Sequence, residues 1–245
     1  MGHDHGGTGS ADHRGRLVAV LAVTVVVLAV EVVGALVSGS LALLADAGHM
    51  LTDVAGLTLA VVASALARRP ATDARTWGYR RAEVLAAAAQ AAVLLAVGGF
   101  VLVEGAQRLF HPPAVTSAAM VAFGVAGLVG NAVGLLLLAG GRHANLNMRA
   151  AFLEVANDAL GSLAVIVAAV VIATTGWLRA DAIASLLIGV LIVPRTLRLL
   201  RESVDVLLES TPKGLALSDV RARILALPHV HDVHDLHASQ VATGL

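Results

Sequence analysis

In the stretch Leu44-Ala45-Asp46-Ala47-Gly48-His49-Met50-Leu51-Thr52-Asp53, an imidazole and a carboxylate stand four residues apart. On a helix that spacing puts both on one face, one turn apart. The stretch Leu153-Glu154-Val155-Ala156-Asn157-Asp158 repeats the spacing with two carboxylates. Together His49, Asp53, Glu154 and Asp158 offer one nitrogen and three oxygens, a four-coordinate set for a divalent cation. Imidazole favours zinc-like metals, and the carboxylates broaden the choice. Asp46, three residues before His49, falls on nearly the same face. Asp46 and Asn157 are therefore candidates for a supporting role. The competing reading is interhelical hydrogen bonding with no metal, and two pairs of matching spacing weigh against it.

The elements that hold these groups are apolar. Of 245 residues 58% are hydrophobic and only 14% are charged, against roughly half and a quarter in soluble domains. Mean hydropathy is +0.83. These values argue against a soluble enzyme, a disordered chain and a nucleic-acid binder. The net charge of zero provides no field to attract a polyanion. The absence of cysteine excludes disulfides and cysteine-based zinc or iron–sulfur sites. A helix needs about 20 apolar residues to cross a bilayer. Six stretches meet that length: 17–38, 41–67, 82–107, 114–139, 149–174 and 179–200. Five of the six prolines fall outside them, and Pro194 lies near the end of the last.

Basic residues set the topology, because they stay on the cytoplasmic side. Arg14, Arg16, Arg68, Arg69, Arg75, Arg80, Arg81, Arg142, Arg149, Arg195, Arg198 and Arg201 fall on one side, and only Arg108 and Arg179 on the other. Lys213, Arg221 and Arg223 follow in the tail. Both termini are thus expected in the cytoplasm. The expected organisation is a flexible N-terminal segment over 1–16, a transmembrane domain over 17–201 and a partial cytoplasmic domain over 202–245. At ~1.5 Å per residue, Asp53 and Asp158 lie about 18 and 21 Å from the outer surface, and His49 and Glu154 about 12 and 27 Å. Uniting all four needs an axial shift between the two helices. Glu31, Glu83 and Glu104, without a spaced partner, read as packing, interface or proton-path groups. Asn131 reads as a hydrogen-bonding group or as interhelical glue.

The stretch from Leu44 to Asp53 closely resembles the second-span motif of the cation diffusion facilitator family. Gly78-Tyr79-Arg80-Arg81-Ala82-Glu83 is similar to the start of that family's third span. Asn147-Met148-Arg149-Ala150-Ala151-Phe152-Leu153 with Asn157-Asp158-Ala159-Leu160-Gly161-Ser162 is similar to its fifth. Val233-His234-Asp235-Leu236-His237 resembles the first strand of its cytoplasmic domain. The resemblance covers nearly the whole chain. It implies a six-helix homodimeric exporter that exchanges divalent metal cations for protons, with a ferredoxin-like cytoplasmic domain. The zinc-transporting branch usually has histidine where Glu154 stands. A carboxylate there is harder and admits cadmium, cobalt, iron or manganese beside zinc. In the tail, residues 217–227 suit the first helix of that domain and 232–241 its first strand, which gives a truncated α+β unit. A lone strand cannot make a sheet.

Peripheral histidines offer weaker candidates. His3 and His5 flank Asp4 near the N-terminus as a weak accessory pair. His231, His234, Asp235 and His237 form a possible cytoplasmic site beside His229. Asp73 and His143 occupy loops that carry accessory sites in some relatives. The expected protein is an all-α, multi-pass protein of the bacterial cell membrane that exports Zn²⁺ or a similar cation against protons. It has the lipid bilayer and a second copy of itself as partners, no nucleic acid and no prosthetic group. It is not expected to be an enzyme: no nucleophile elbow, phosphate loop or paired catalytic carboxylate lies outside the bilayer. The alternatives are a membrane metal sensor or scaffold without transport, and a proton or monovalent cation pathway.

Overall fold

The apolar stretches form six long helices in an all-α membrane bundle. The computed structural model describes the backbone of residues 7–140 and 146–241, and the side chains of 15–140 and 148–241. The helices are α1 Gly7–Ser38, α2 Leu41–Ala67, α3 Ala82–Phe110, α4 Ser117–Ala139, α5 Leu146–Thr175 and α6 Arg179–Leu207. A short helix, α7 Leu217–Leu225, follows. Each of the six is long and apolar enough to cross a bilayer. Their ends depart from the expected spans in understandable ways. The fourth starts at Ser117 rather than 114, after Pro112 and Pro113. The sixth runs on to Leu207, and Pro194 sits within it. The first begins at Gly7, ahead of the apolar run.

The chain divides into two compact units. The first runs through Ala55 and over Val93–Arg195. Here α4 packs between α1 and α5. Its buried stripe is Met120, Gly124, Gly127, Asn131, Gly134 and Leu138, spaced alternately by four and three. A Cβ at Gly127 would sit 2.5 Å from Glu31 Oε1, and one at Gly134 would sit 3.0 Å from Val155. Lipid exerts no hydrophobic drive between helices, so close backbone approach over small residues supplies the attraction. Gly39 joins α1 to α2 at φ +72°, a conformation costly for other residues. The connections around Gly39, residues 111–116 and Gly176 mark one end of this unit, called here the Gly39 end. An apolar cluster fills it, including Ala35, Leu43, Met120, Val165, Ile172 and Ala180.

The second unit takes Gly56–Ala92 and the chain from Thr196 on. Gly56 on α2 faces the Gln90 side chain of α3. In the loop after α2, Thr72 and Arg75 pair their backbones, and the Arg75 guanidinium stacks 4.3 Å from the Tyr79 ring. Arg81 reaches Glu209 at 2.6 Å. The helix expected at 217–227 forms as α7. The strand expected at 232–241 does not, since no strand is present among the described residues to supply ladder partners. His229 and Asp235 instead take positive φ, which breaks extended geometry.

The glycine stripe yields a prediction. Gly127→Ala should destabilise the protein by about 1–3 kcal/mol, as overpacking does. Gly99→Ala, with nothing within 4 Å of the added carbon, should be neutral or slightly stabilising. Thermal unfolding in detergent compares the two, and equal effects would refute the packing account.

Candidate metal centre

The second and fifth helices run in opposite directions within the first unit and bring their polar pairs together. His49 and Asp53 lie one turn apart, with Nε2 3.5 Å from Asp53 Oδ2. Glu154 of α5 approaches the same nitrogen, Oε1 to Nε2 being 4.0 Å. One ligand atom from each of the three lies within 4.8 Å of the others. A cation of zinc size bridges ligands about 2 Å away, so small side-chain adjustments close such a cage. The axial shift that the sequence demanded is therefore present: both His49 and Asp53 of α2 stand beside Glu154 of α5.

Asp158 is one turn further along α5 and outside that three-residue group. It belongs to a deeper polar layer with Glu31 and Asp46. These three residues are at most 4% exposed. Each has a buried oxygen without a hydrogen-bond partner: Asp158 Oδ1, Glu31 Oε2 and Asp46 Oδ2. The Ser162 hydroxyl lies 3.3 Å from Glu31 Oε1 and 3.2 Å from the Asp158 carbonyl oxygen. Asn131 Nδ2 donates to Ser162 Oγ at 3.3 Å. Gly161 gives Asp46 its room, since a Cβ there would press on the carboxylate. Carboxylates buried this way are costly unless positive charge joins them, as metal ion or as proton. His49 Nδ1 and Asp53 Oδ2 are likewise buried without a hydrogen bond.

Exposure falls steadily along this column. The Glu154 side chain is 34% exposed, Asp53 19% and His49 14%. The deeper layer is closed, and the apolar cluster of the Gly39 end lies beyond it. Within the first unit the column is thus open beside Glu154 and closed toward the Gly39 end.

Arg195 of α6 has no spacing relation to the cluster, yet its Nη2 lies 3.5 Å from Glu154 Oε2. The only sequence signal was an arginine one residue after Pro194, inside an apolar helix. Glu104 does have a partner: Arg108 Nε, four residues on, donates to its Oε1 at 2.9 Å. Asn157 lies on the exposed face of α5 and does not join the cluster. In the tail, His234 and Asp235 approach to 3.3 Å, both exposed. Among the described residues, His231, His234, Asp235 and His237 form no three-ligand group. His3, His5 and His143 lie outside the described residues.

Compared with known proteins, residues 17–208 match the family model of the cation efflux transmembrane domain. The chain is 43% identical over 242 residues to the metal cation efflux system protein CzcD of Cupriavidus metallidurans, covering 99% of this chain and 75% of that one. It is 41% identical over 247 residues to the zinc transporter ZitB of Escherichia coli, covering 98% and 79%. It is 35% identical over 247 residues to a cadmium, cobalt and zinc/H(+)-K(+) antiporter of Bacillus subtilis, covering 100% and 78%.

The cluster geometry predicts binding behaviour. Calorimetric titration of the purified protein with Zn²⁺ should show affinity falling by about two orders of magnitude in His49→Ala. Arg195→Gln frees a Glu154 oxygen and should tighten binding about two- to fivefold, the scale of an exposed ion pair. Asn157→Ala should leave affinity unchanged, and a loss equal to that of His49→Ala would overturn the ligand set.

Proposed function

Because this chain belongs to the cation diffusion facilitator family, in its zinc-transporter-like branch, we propose that it exports divalent transition-metal cations from the cytoplasm in exchange for protons. It is a multi-pass membrane protein with bacterial relatives. The observation that carries the reading is the convergence of His49, Asp53 and Glu154 on one point, with Asp158 one turn deeper. Zinc is the first candidate cargo. The oxygen-rich set also accommodates cadmium, cobalt, iron or manganese. The metals for which the relatives are named, zinc in one case and cadmium, cobalt and zinc in another, support this range.

The twelve-to-two distribution of basic residues supports cytoplasmic termini. On that topology the open end of the column faces the cytoplasm, and the tail from residue 202 lies there too. The cation is drawn in by Glu154 and Asp53. Arg195 releases its Glu154 oxygen as the cation takes it. Ligands bind metal deprotonated, so loading expels protons. The helices then shift to open the Gly39 end, and external protons compete for the same lone pairs and release the cation. Asp158, Asp46 and Glu31 form an acidic step on that exit route. Two copies work as a homodimer, as the resemblance implies.

The test is metal uptake into inverted membrane vesicles under an imposed pH gradient. Wild-type protein should accumulate Zn²⁺, and Asp53→Ala and Asp158→Ala should each abolish uptake. Undiminished uptake in either variant sinks the site assignment. Metal binding without flux would favour a sensor or scaffold. Proton flux without any divalent metal would favour a proton pathway. Glu154→His should shift preference toward zinc over manganese, and no shift removes Glu154 as the selectivity determinant.

A further inference from the structure

Asp181 stands on the first turn of α6 and is 2% exposed. It does not touch the ligand column, yet it is among the most heavily bonded side chains in the first unit. Its Oδ2 accepts from the Leu41 N–H at 2.9 Å, and its Oδ1 accepts from the Ala42 N–H at 3.2 Å. The Ser40 hydroxyl also donates to Oδ1. Ser40 Oγ in turn accepts from the Leu43 N–H at 3.2 Å, an ordinary N-cap. The carboxylate of one helix thus caps the N-terminus of another, where free N–H groups and the helix dipole both favour negative charge. Arg108 of α3 completes the junction. Its Nη1 donates to the Gly39 carbonyl at 2.9 Å and lies 3.8 Å from Asp181 Oδ2. Three helices therefore meet through one buried charge at the sealed end of the column.

We propose that Asp181, with Arg108, is the latch that keeps the Gly39 end closed and so positions α2 with its His49 and Asp53. The chemistry makes the junction two-state. A buried carboxylate needs its donors, and the α2 N-terminus supplies them only while α2 and α6 stay together. When that end opens, water replaces those donors, so closed and hydrated-open arrangements are both satisfied and intermediates are not. Asp181 is a positioning residue: it acts on the cation through α2. The relevance to transport rests on the proposed function, but the latch itself is measurable without metal flux.

The chain has no cysteine, so single cysteines report cleanly. Ala150→Cys and Val165→Cys fall on the α5 face of Glu154 and Asp158, one on either side of the column. Ala150 is exposed and Val165 fully buried. Each is labelled with a water-soluble maleimide in full-length protein in lipid nanodiscs, with and without Asp181→Asn. With Asp181 intact, the cysteine at 150 should react fast and that at 165 slowly. Asp181→Asn should speed labelling at 165 about tenfold, the scale of one lost charge-assisted hydrogen bond, and slow it at 150. Arg108→Gln should move both rates in the same directions by less, and it serves if Asp181→Asn does not fold. Faster labelling at both positions would mean a loosened bundle and overturn the latch, as would unchanged rates. If wild-type protein shows no vesicle flux but the reciprocal change appears, the latch stands and the transport reading falls.

Discussion

Charge buried among apolar helices is the constraint on which this molecule depends. In water a carboxylate costs nothing to hold; inside a bilayer bundle it must be paired, coordinated or protonated. The chain nevertheless commits Glu31, Asp46, Asp53, Glu154, Asp158 and Asp181 to its helices. Asp181 is fully provided for by the N–H groups of α2. Glu154 is partly provided for by Arg195. Asp46, Asp53, Asp158 and Glu31 each keep an oxygen without a donor. The residues with structural partners tie helices together, and those without are the ones that the proposed function assigns to a cation or proton.

That division explains the rest of the packing. Glycines on α4 and α5 clear space beside Glu31 and Asp46 so that the acids fit without displacing a helix. Ser162 and Asn131 share their donors between α1, α4 and α5 and tie the polar layer together. Beyond that layer lies an apolar cluster around Leu43, Met120, Val165 and Ile172, and the polar groups of that end, Asp181 and Ser40, are bound to the start of α2. A single column thus has an exposed mouth, an acidic middle and an apolar end, the arrangement that the proposed exchange would use.

Much of the site was legible from residue spacing. His49 with Asp53 and Glu154 with Asp158 sit four apart, and helical periodicity makes that spacing meaningful before any fold is known. The role of Asp158 was less legible. Spacing grouped it with the other three candidate ligands, and packing set it one turn deeper beside Asp46. Arg195 and Asp181 were not legible as partners at all, because each acts across helices at long sequence separation. The tail strand failed to form for the same kind of reason: a strand is defined by its neighbour, and 232–241 has none among the described residues.

The sequence by itself determined six membrane helices and the identity of the polar groups inside them. Those properties are local: they follow from runs of apolar residues, from proline placement and from the positions of charges along the chain. Only the tertiary structure decided which polar groups meet, where the column is exposed, and which carboxylate is bound to a helix end rather than left without a donor. Those outcomes depend on axial register between helices. Register is set by close packing over Gly124, Gly127 and Gly134 and by a cap that reaches from α6 to α2, and neither is visible in any single stretch of sequence.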